Sequence, residues 1–231
     1  AYLLGAVLGM FPLYALTGAG FLRAVFPALP QLPTALALLF VFYAANLLGA
    51  RVAMWAQAVM VVILLGALAW FVAAGVPRIA VSNLVPLFPG GAGGFAVAAA
   101  LLTFTILGAN AAVELGDEIR NPRRNIPLSF LISIPVVVIL YTAMGLVAAG
   151  VAPWTGRDTS LADIAGSFMS RGPLVFFLVG GGFLAVVTTL NATYLWGTKS
   201  LILVAEDGLL PRSVAAVSRR FGTPHWLLTF I

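Results

Sequence analysis

Residues Phe104 to Asn125 read FTILGANAAVELGDEIRNPRRN, and the rest of the chain is organised around this stretch. It opens as an apolar helix, loosens at Gly108-Ala109-Asn110 and closes in a dense charged run. Glycine costs about 1 kcal/mol relative to alanine inside a helix, and asparagine costs little less. In hydrocarbon, a backbone group released from its helical bond is costly unless something else satisfies it. A break at Gly108 would bare carbonyls and N–H groups for a solute's ammonium and carboxylate. The half-helix from Ala109 would turn its positive end toward an anion. The competing reading is a glycine that only permits close helix packing, with Asn110 bonded to a neighbouring helix. A Gly-x-Asn pattern alone does not separate the two.

Composition sets the surroundings of that stretch. The chain has 231 residues, 62% hydrophobic and 8% charged, with a mean hydropathy of +1.10. A soluble domain carries about 25% charged residues. Most of this surface must therefore face hydrocarbon, and the chain reads as an all-α polytopic membrane protein. It contains no cysteine, which excludes disulfides, thiolate metal sites and a cysteine nucleophile. The formal charge of +5 comes from twelve basic residues scattered at helix ends. That is the positive-inside pattern, not a nucleic-acid footprint. No Ser/His/Asp set, HExxH or phosphate loop is present, so the chain is not read as an enzyme. It begins at Ala1 inside an apolar run and stops at Ile231 just into another, as an internal segment of a longer protein would.

The whole of 1–231 is expected to be one transmembrane region with no soluble domain, with spans at about 1–22, 34–49, 52–75, 94–116, 127–152 and 173–205, and another beginning at 226. Pro27, Pro30 and Pro33 stiffen the first connection. Asn46, Gly49 and Arg51 mark a tight turn, and Pro127 is expected to open the fifth span. Ser160 followed by Asp163 predicts an N-cap and a short surface helix. The stretch 173–205 is long for one crossing, roughly 50 Å at 1.5 Å per residue. It either tilts and projects, or breaks at Gly180-Gly181-Gly182. The loops holding Arg51, Arg120, Arg123, Arg124, Arg212, Arg219 and Arg220 are the richer in basic residues and are expected to face the cytoplasm. The expected location is the plasma or inner membrane, multi-pass.

Three stretches together carry a resemblance: NLLGAR at 46–51, GANAAVELGDEIRNPRRNIP from Gly108, and LNATYLWGTKSLILVAEDGLLP from Leu190. In order and spacing they resemble the amino acid–polyamine–organocation (APC) superfamily of permeases, helices three to eight and the start of nine. The resemblance implies a LeuT-like fold of two five-helix inverted repeats, with substrate held at unwound points of helices one and six. Helix one would lie before Ala1. The implied substrate-binding residues are Phe104, Thr105, Gly108, Ala109 and Asn110, with Tyr14 and Trp196 as further pocket walls. The chain departs from the family where an acidic residue is often found, which is Asn110 here. It departs again where proton-coupled relatives place a helix-five lysine, which is Leu64 here. Glu114 lies one turn below Asn110 and reads either as a proton-coupling acid or as a solvated group at the inner mouth.

Ala185, Thr188 and Thr189 stand at i, i+3 and i+4, on one helix face. A carbonyl and two hydroxyls there could bind Na⁺, and sodium-coupled transporters of this fold carry a similar pattern in helix eight. The alternative is that each threonine only bonds the carbonyl one turn back. The expected function is secondary active transport of an amino acid or related amine by alternating access, with Na⁺ as the coupling ion and no other cofactor. The alternatives are a gradient-independent exchanger and a non-transporting membrane sensor or scaffold. The expected partners are the small solute and the lipid bilayer, not nucleic acid.

Overall fold

A computed structural model of the chain describes residues 2–86, 88–103, 116, 119–152, 159–209, 211 and 224–230. The described residues contain helices and loops and no strand. In chain order the helices are α1 (Tyr2–Val25), α2 (Gln31–Leu47), α3 (Ala50–Gly75), α4 (Gly91–Thr103), α5 (Pro122–Val151), α6 (Leu161–Phe168), α7 (Arg171–Phe176), a π-helical segment (Phe177–Phe183), α8 (Leu184–Glu206) and α9 (His225–Phe230). Among the described residues, three stretches are long and apolar enough to cross a bilayer: Arg51–Arg78, Pro122–Val151 and Arg171–Thr198. The fold divides into one compact unit of Ala1–Ala67 with Val175–Ile231 and a second of Leu68–Leu174.

In the first unit α8 is the central helix. Among its buried positions, Val187, Leu190, Asn191, Tyr194, Thr198, Leu201 and Ala205 lie along one face. Val187, Leu190 and Tyr194 pack with Phe11 of α1, Phe42 of α2 and Leu228 of α9. The Phe11 and Tyr194 rings lie 4.4 Å apart between centroids. Small side chains bring α1 and α2 together, with Ala15, Ala19 and Ala35 forming their own buried cluster. Thr229 of α9 donates its hydroxyl to the His225 carbonyl at 2.8 Å. Its single proton is thereby used, so the Tyr43 hydroxyl donates to Thr229 Oγ1, also at 2.8 Å.

The long stretch 171–206 does not break at its glycines. It runs on through Gly180-Gly181-Gly182 as the π-helical segment. Its glycines remove side-chain bulk where α1 approaches. A Cβ on Gly182 would stand 2.5 Å from Cε1 of Phe21, and one on Gly18 would stand 3.3 Å from Leu38 and 3.4 Å from Val187. The helix ends at Gly208, whose φ of 79° suits glycine. There the Leu209 amide bonds the Val204 carbonyl and the Gly208 amide bonds the Ala205 carbonyl, both at 3.1 Å. This paired closure satisfies carbonyls that the helix would otherwise leave open.

In the second unit, the helix expected to open at Pro127 opens at Pro122. Pro122 occupies the first helical turn after Asn121, which takes a left-handed conformation. An asparagine tolerates that conformation, and a proline at the helix start loses no bond. Pro127 and Pro135 then lie inside α5, and Arg123 and Arg124 lie in its first turn instead of in a loop. The 3₁₀ turns at Val76–Arg78 and Val81–Leu84 follow α3. They are tied to the far end of α5, where the Ala80 amide and the Asn83 side-chain amide both donate to the Gly150 carbonyl at 2.9 Å. α6 carries the predicted N-cap, closed into a full capping box: Ser160 Oγ accepts from the Asp163 amide at 3.1 Å, and Asp163 Oδ2 accepts from the Ser160 amide at 3.3 Å. Elsewhere along α5 large apolar side chains such as Leu131, Val138 and Ile139 are exposed. That is how a helix facing acyl chains looks outside a bilayer.

The close approach at Gly182 makes a direct prediction. Gly182→Ala should destabilise the protein by about 1–3 kcal/mol, because the Phe21 ring must move. Gly20→Ala, whose Cβ would meet nothing within 4 Å, should not destabilise, and alanine's helix preference should add up to about 1 kcal/mol. Thermal unfolding of the two variants in one detergent compares them.

Candidate functional site

The expected substrate residues Phe104, Thr105, Gly108, Ala109 and Asn110 lie outside the described residues, as do Glu114, Asp117 and Glu118. The structure follows the helix leading toward them, α4, as far as Thr103. Tyr14 is half-buried against the cluster around Phe11 and Tyr194, and Trp196 is half-buried on α8.

The expected ion-binding residues lie in the first turns of α8, immediately after the π-helical segment. The hydroxyls of Thr188 and Thr189 each donate to the Ala185 carbonyl, both at 3.0 Å. Three neutral oxygens are therefore gathered at one point, by the bond a membrane threonine makes to the carbonyl one turn back. Thr188 is 6% exposed, whereas Thr189 lies on the open side of the helix. Successive residues are about 100° apart around a helix, so the two hydroxyls reach the carbonyl from its two sides. Each donating hydroxyl keeps lone pairs.

One turn further along α8 is a polar network. Asn191 is fully buried and Asn46 is 3% exposed. Asn46 Nδ2 donates to the Phe42 carbonyl at 2.8 Å and to Asn191 Oδ1 at 3.0 Å. Asn191 Nδ2 donates to the Ala53 carbonyl at 3.1 Å and to Gln57 Oε1 at 2.9 Å. Side chains from α2, α3 and α8 thus share one chain of bonds. Each answers the same problem, since a buried amide without partners costs about 1–3 kcal/mol. In the sequence, Asn46 read only as a turn marker and Asn191 only as one letter of a motif. The available signal was three amide side chains inside apolar helices, each of which needs a polar partner at depth.

The charged run also changes in the structure. Arg120, Arg123 and Arg124 are exposed. The Asn125 side-chain amide donates to the Arg120 carbonyl, and the Arg124 and Asn125 amides both bond the Asn121 carbonyl at 3.0 Å. The run therefore builds the start of α5 through its backbone, while its guanidinium groups stay outside.

The profile of the amino acid permease family matches residues 1–231. The chain belongs to the amino acid permease family. It is thereby a member of the APC superfamily and an integral, polytopic membrane protein, and its family and relatives are permeases and transporters, not enzymes. It is 27% identical to the branched-chain amino acid permease BcaP of Bacillus subtilis (strain 168) over 225 residues, 96% of this chain and 44% of that protein. It is 27% identical to the methylthioribose transporter of the same strain over 161 residues, 68% of this chain and 35% of that protein. It is 30% identical to cationic amino acid transporter 3, mitochondrial, of Arabidopsis thaliana over 139 residues, 59% of this chain and 23% of that protein. The chain spans less than half the length of each of these relatives.

The amide network predicts a large effect from a small change in this permease segment. Asn46→Leu removes the donor to Asn191 Oδ1 and should cost about 1–3 kcal/mol. Thr34→Val removes an exposed hydroxyl that bonds Pro30 and should stay within about 0.5 kcal/mol. The thermal midpoints of the two variants test the contrast.

Proposed function

We propose that the full-length protein is a secondary transporter that moves an amino acid or related amine by alternating access. The observation that carries this reading is the family match over all 231 residues. Relatives named for branched-chain amino acids, cationic amino acids and methylthioribose support a small polar solute as cargo. The proposed architecture is the LeuT-like pair of inverted repeats. The proposed substrate contacts are the backbone around Gly108 and Asn110 together with Phe104, Thr105 and Ala109. A polar, glycine-softened point in a membrane helix supplies main-chain groups that an α-amino acid's two charged ends can satisfy.

Na⁺ is proposed as the coupling ion, held by the Ala185 carbonyl with the Thr188 and Thr189 hydroxyls. The support is chemical: these three oxygens already cluster, and neutral oxygen donors suit a hard cation. Binding would redirect both hydroxyl protons away from the carbonyl and turn the oxygen lone pairs to the ion.

The test is uptake of labelled leucine and arginine by the full-length protein in proteoliposomes. Saturable uptake of at least one, lost in the Gly108→Leu variant, is the expected result; no uptake and no counterflow overturns the transporter reading. Replacing Na⁺ by choline should stop accumulation, and Thr188→Val should raise the Na⁺ concentration for half-maximal uptake by about tenfold, the loss of roughly 1.4 kcal/mol. Flux that is indifferent to Na⁺, with strong counterflow, would identify a gradient-independent exchanger instead.

A further inference from the structure

The first turns of α3 are held to their unit by a narrow contact. Ala53 is fully buried and Gln57 half-buried, while Arg51, Val52, Met54 and Trp55 are exposed. Over 51–57 its only fully buried apolar group is the Ala53 methyl; Met60, a turn further on, is partly buried against the cluster of Val187, Leu190 and Tyr194. The polar part is Asn191, whose amide reaches both the Ala53 carbonyl and the Gln57 side chain, one helical turn apart. Asn46 fixes the direction of that reach. Its amide donates to Asn191 Oδ1, and an amide presents its oxygen and its nitrogen on opposite sides. With the oxygen held toward α2, the two N–H groups of Asn191 must face α3.

The other end of the contact is a tight turn. α2 ends at Leu47 and α3 begins at Ala50, with only Leu48 and Gly49 between them. Gly49 has φ 119°, a backbone conformation that glycine takes without strain. The α2–α8 contact does not depend on α3, because Phe42, Leu190 and Tyr194 hold it with Asn46.

We infer that Asn191 is a positioning residue that latches the first turns of α3 onto α8, and that breaking its two bonds lets those turns leave while α2 and α8 stay together. The latch itself stands apart from any assigned activity. Its consequence for transport rests on the function proposed above: the latch sets the rate at which the protein changes conformation, not its grip on the solute.

Backbone hydrogen exchange on the full-length protein in lipid nanodiscs tests the latch, using Asn191→Leu and Gln57→Met. Asn191→Leu should speed exchange across 52–60 by about tenfold or more, and Gln57→Met, which breaks one of the two bonds, by about threefold or more, as expected when a buried polar partner is lost. Exchange across 9–25 in α1 should be unchanged. A uniform rise through α1 and α8, or no change in 52–60, overturns the proposal. If Asn191→Leu does not fold, Gln57→Met decides alone, since it leaves the Asn46–Asn191 and Asn191–Ala53 bonds in place. In uptake, both variants should change Vmax severalfold with KM within about twofold; a change confined to KM overturns the link to transport. A wild-type protein without uptake would remove the function proposed above, and the exchange measurement would still decide the latch.

Discussion

A polar group carried into an apolar surround must find its partner inside the protein, because no water is there to replace it. Asn46, Asn191 and Gln57 meet that constraint together. Each sits on a different helix, and the partners of Asn191 come from two helices besides its own. The apolar contacts around them are non-directional and fix the facing side of each helix only coarsely. The amides add direction. They fix which face of α8 is turned toward α2 and α3, and so where Thr188, three residues earlier on the same face, must lie.

The second organising feature is the absence of side chains. Gly182 of the π-helical segment leaves room for Phe21 of α1, and Gly18 of α1 leaves room for Leu38 and Val187. Ala15, Ala19 and Ala35 do the same between α1 and α2. In lipid there is little hydrophobic gain from bringing two apolar helices together, so close backbone approach and good packing supply the association. The extra residue in a π turn shifts the register of everything before it relative to everything after it. Here that shift comes just before the carbonyl of Ala185 and the hydroxyls that converge on it.

How far the sequence could be read follows from how local each signal is. Ser160 and Asp163 are three residues apart and satisfy each other, so the N-cap was legible without any knowledge of the fold. The start of α5 was not. Pro122 and Pro127 both suit a helix opening, and only the left-handed Asn121 with its carbonyl bonded by two later amides decides for Pro122. Gly180 to Gly182 signalled an irregularity in a long helix, yet only the folded structure shows that the helix widens there and that Phe21, some 160 residues away in the chain, lies against Gly182. The threonines of α8 were legible as a pattern. Their shared bond to Ala185 and the unequal burial of the two came only from the packed helix.

By itself the sequence determined the environment and the class of molecule: a chain with so few charges and such long apolar runs must lie in a membrane as helices, and its spaced motifs belong to the amino acid permeases. These properties are carried by composition and by neighbours in the chain. The tertiary structure decided which polar residues answer one another, where the long helix widens, and which face of α8 is enclosed. Those outcomes depend on residues more than a hundred positions apart, such as Asn46 and Asn191, and no local preference can state them, because a buried amide specifies only that it needs a partner, not where that partner is.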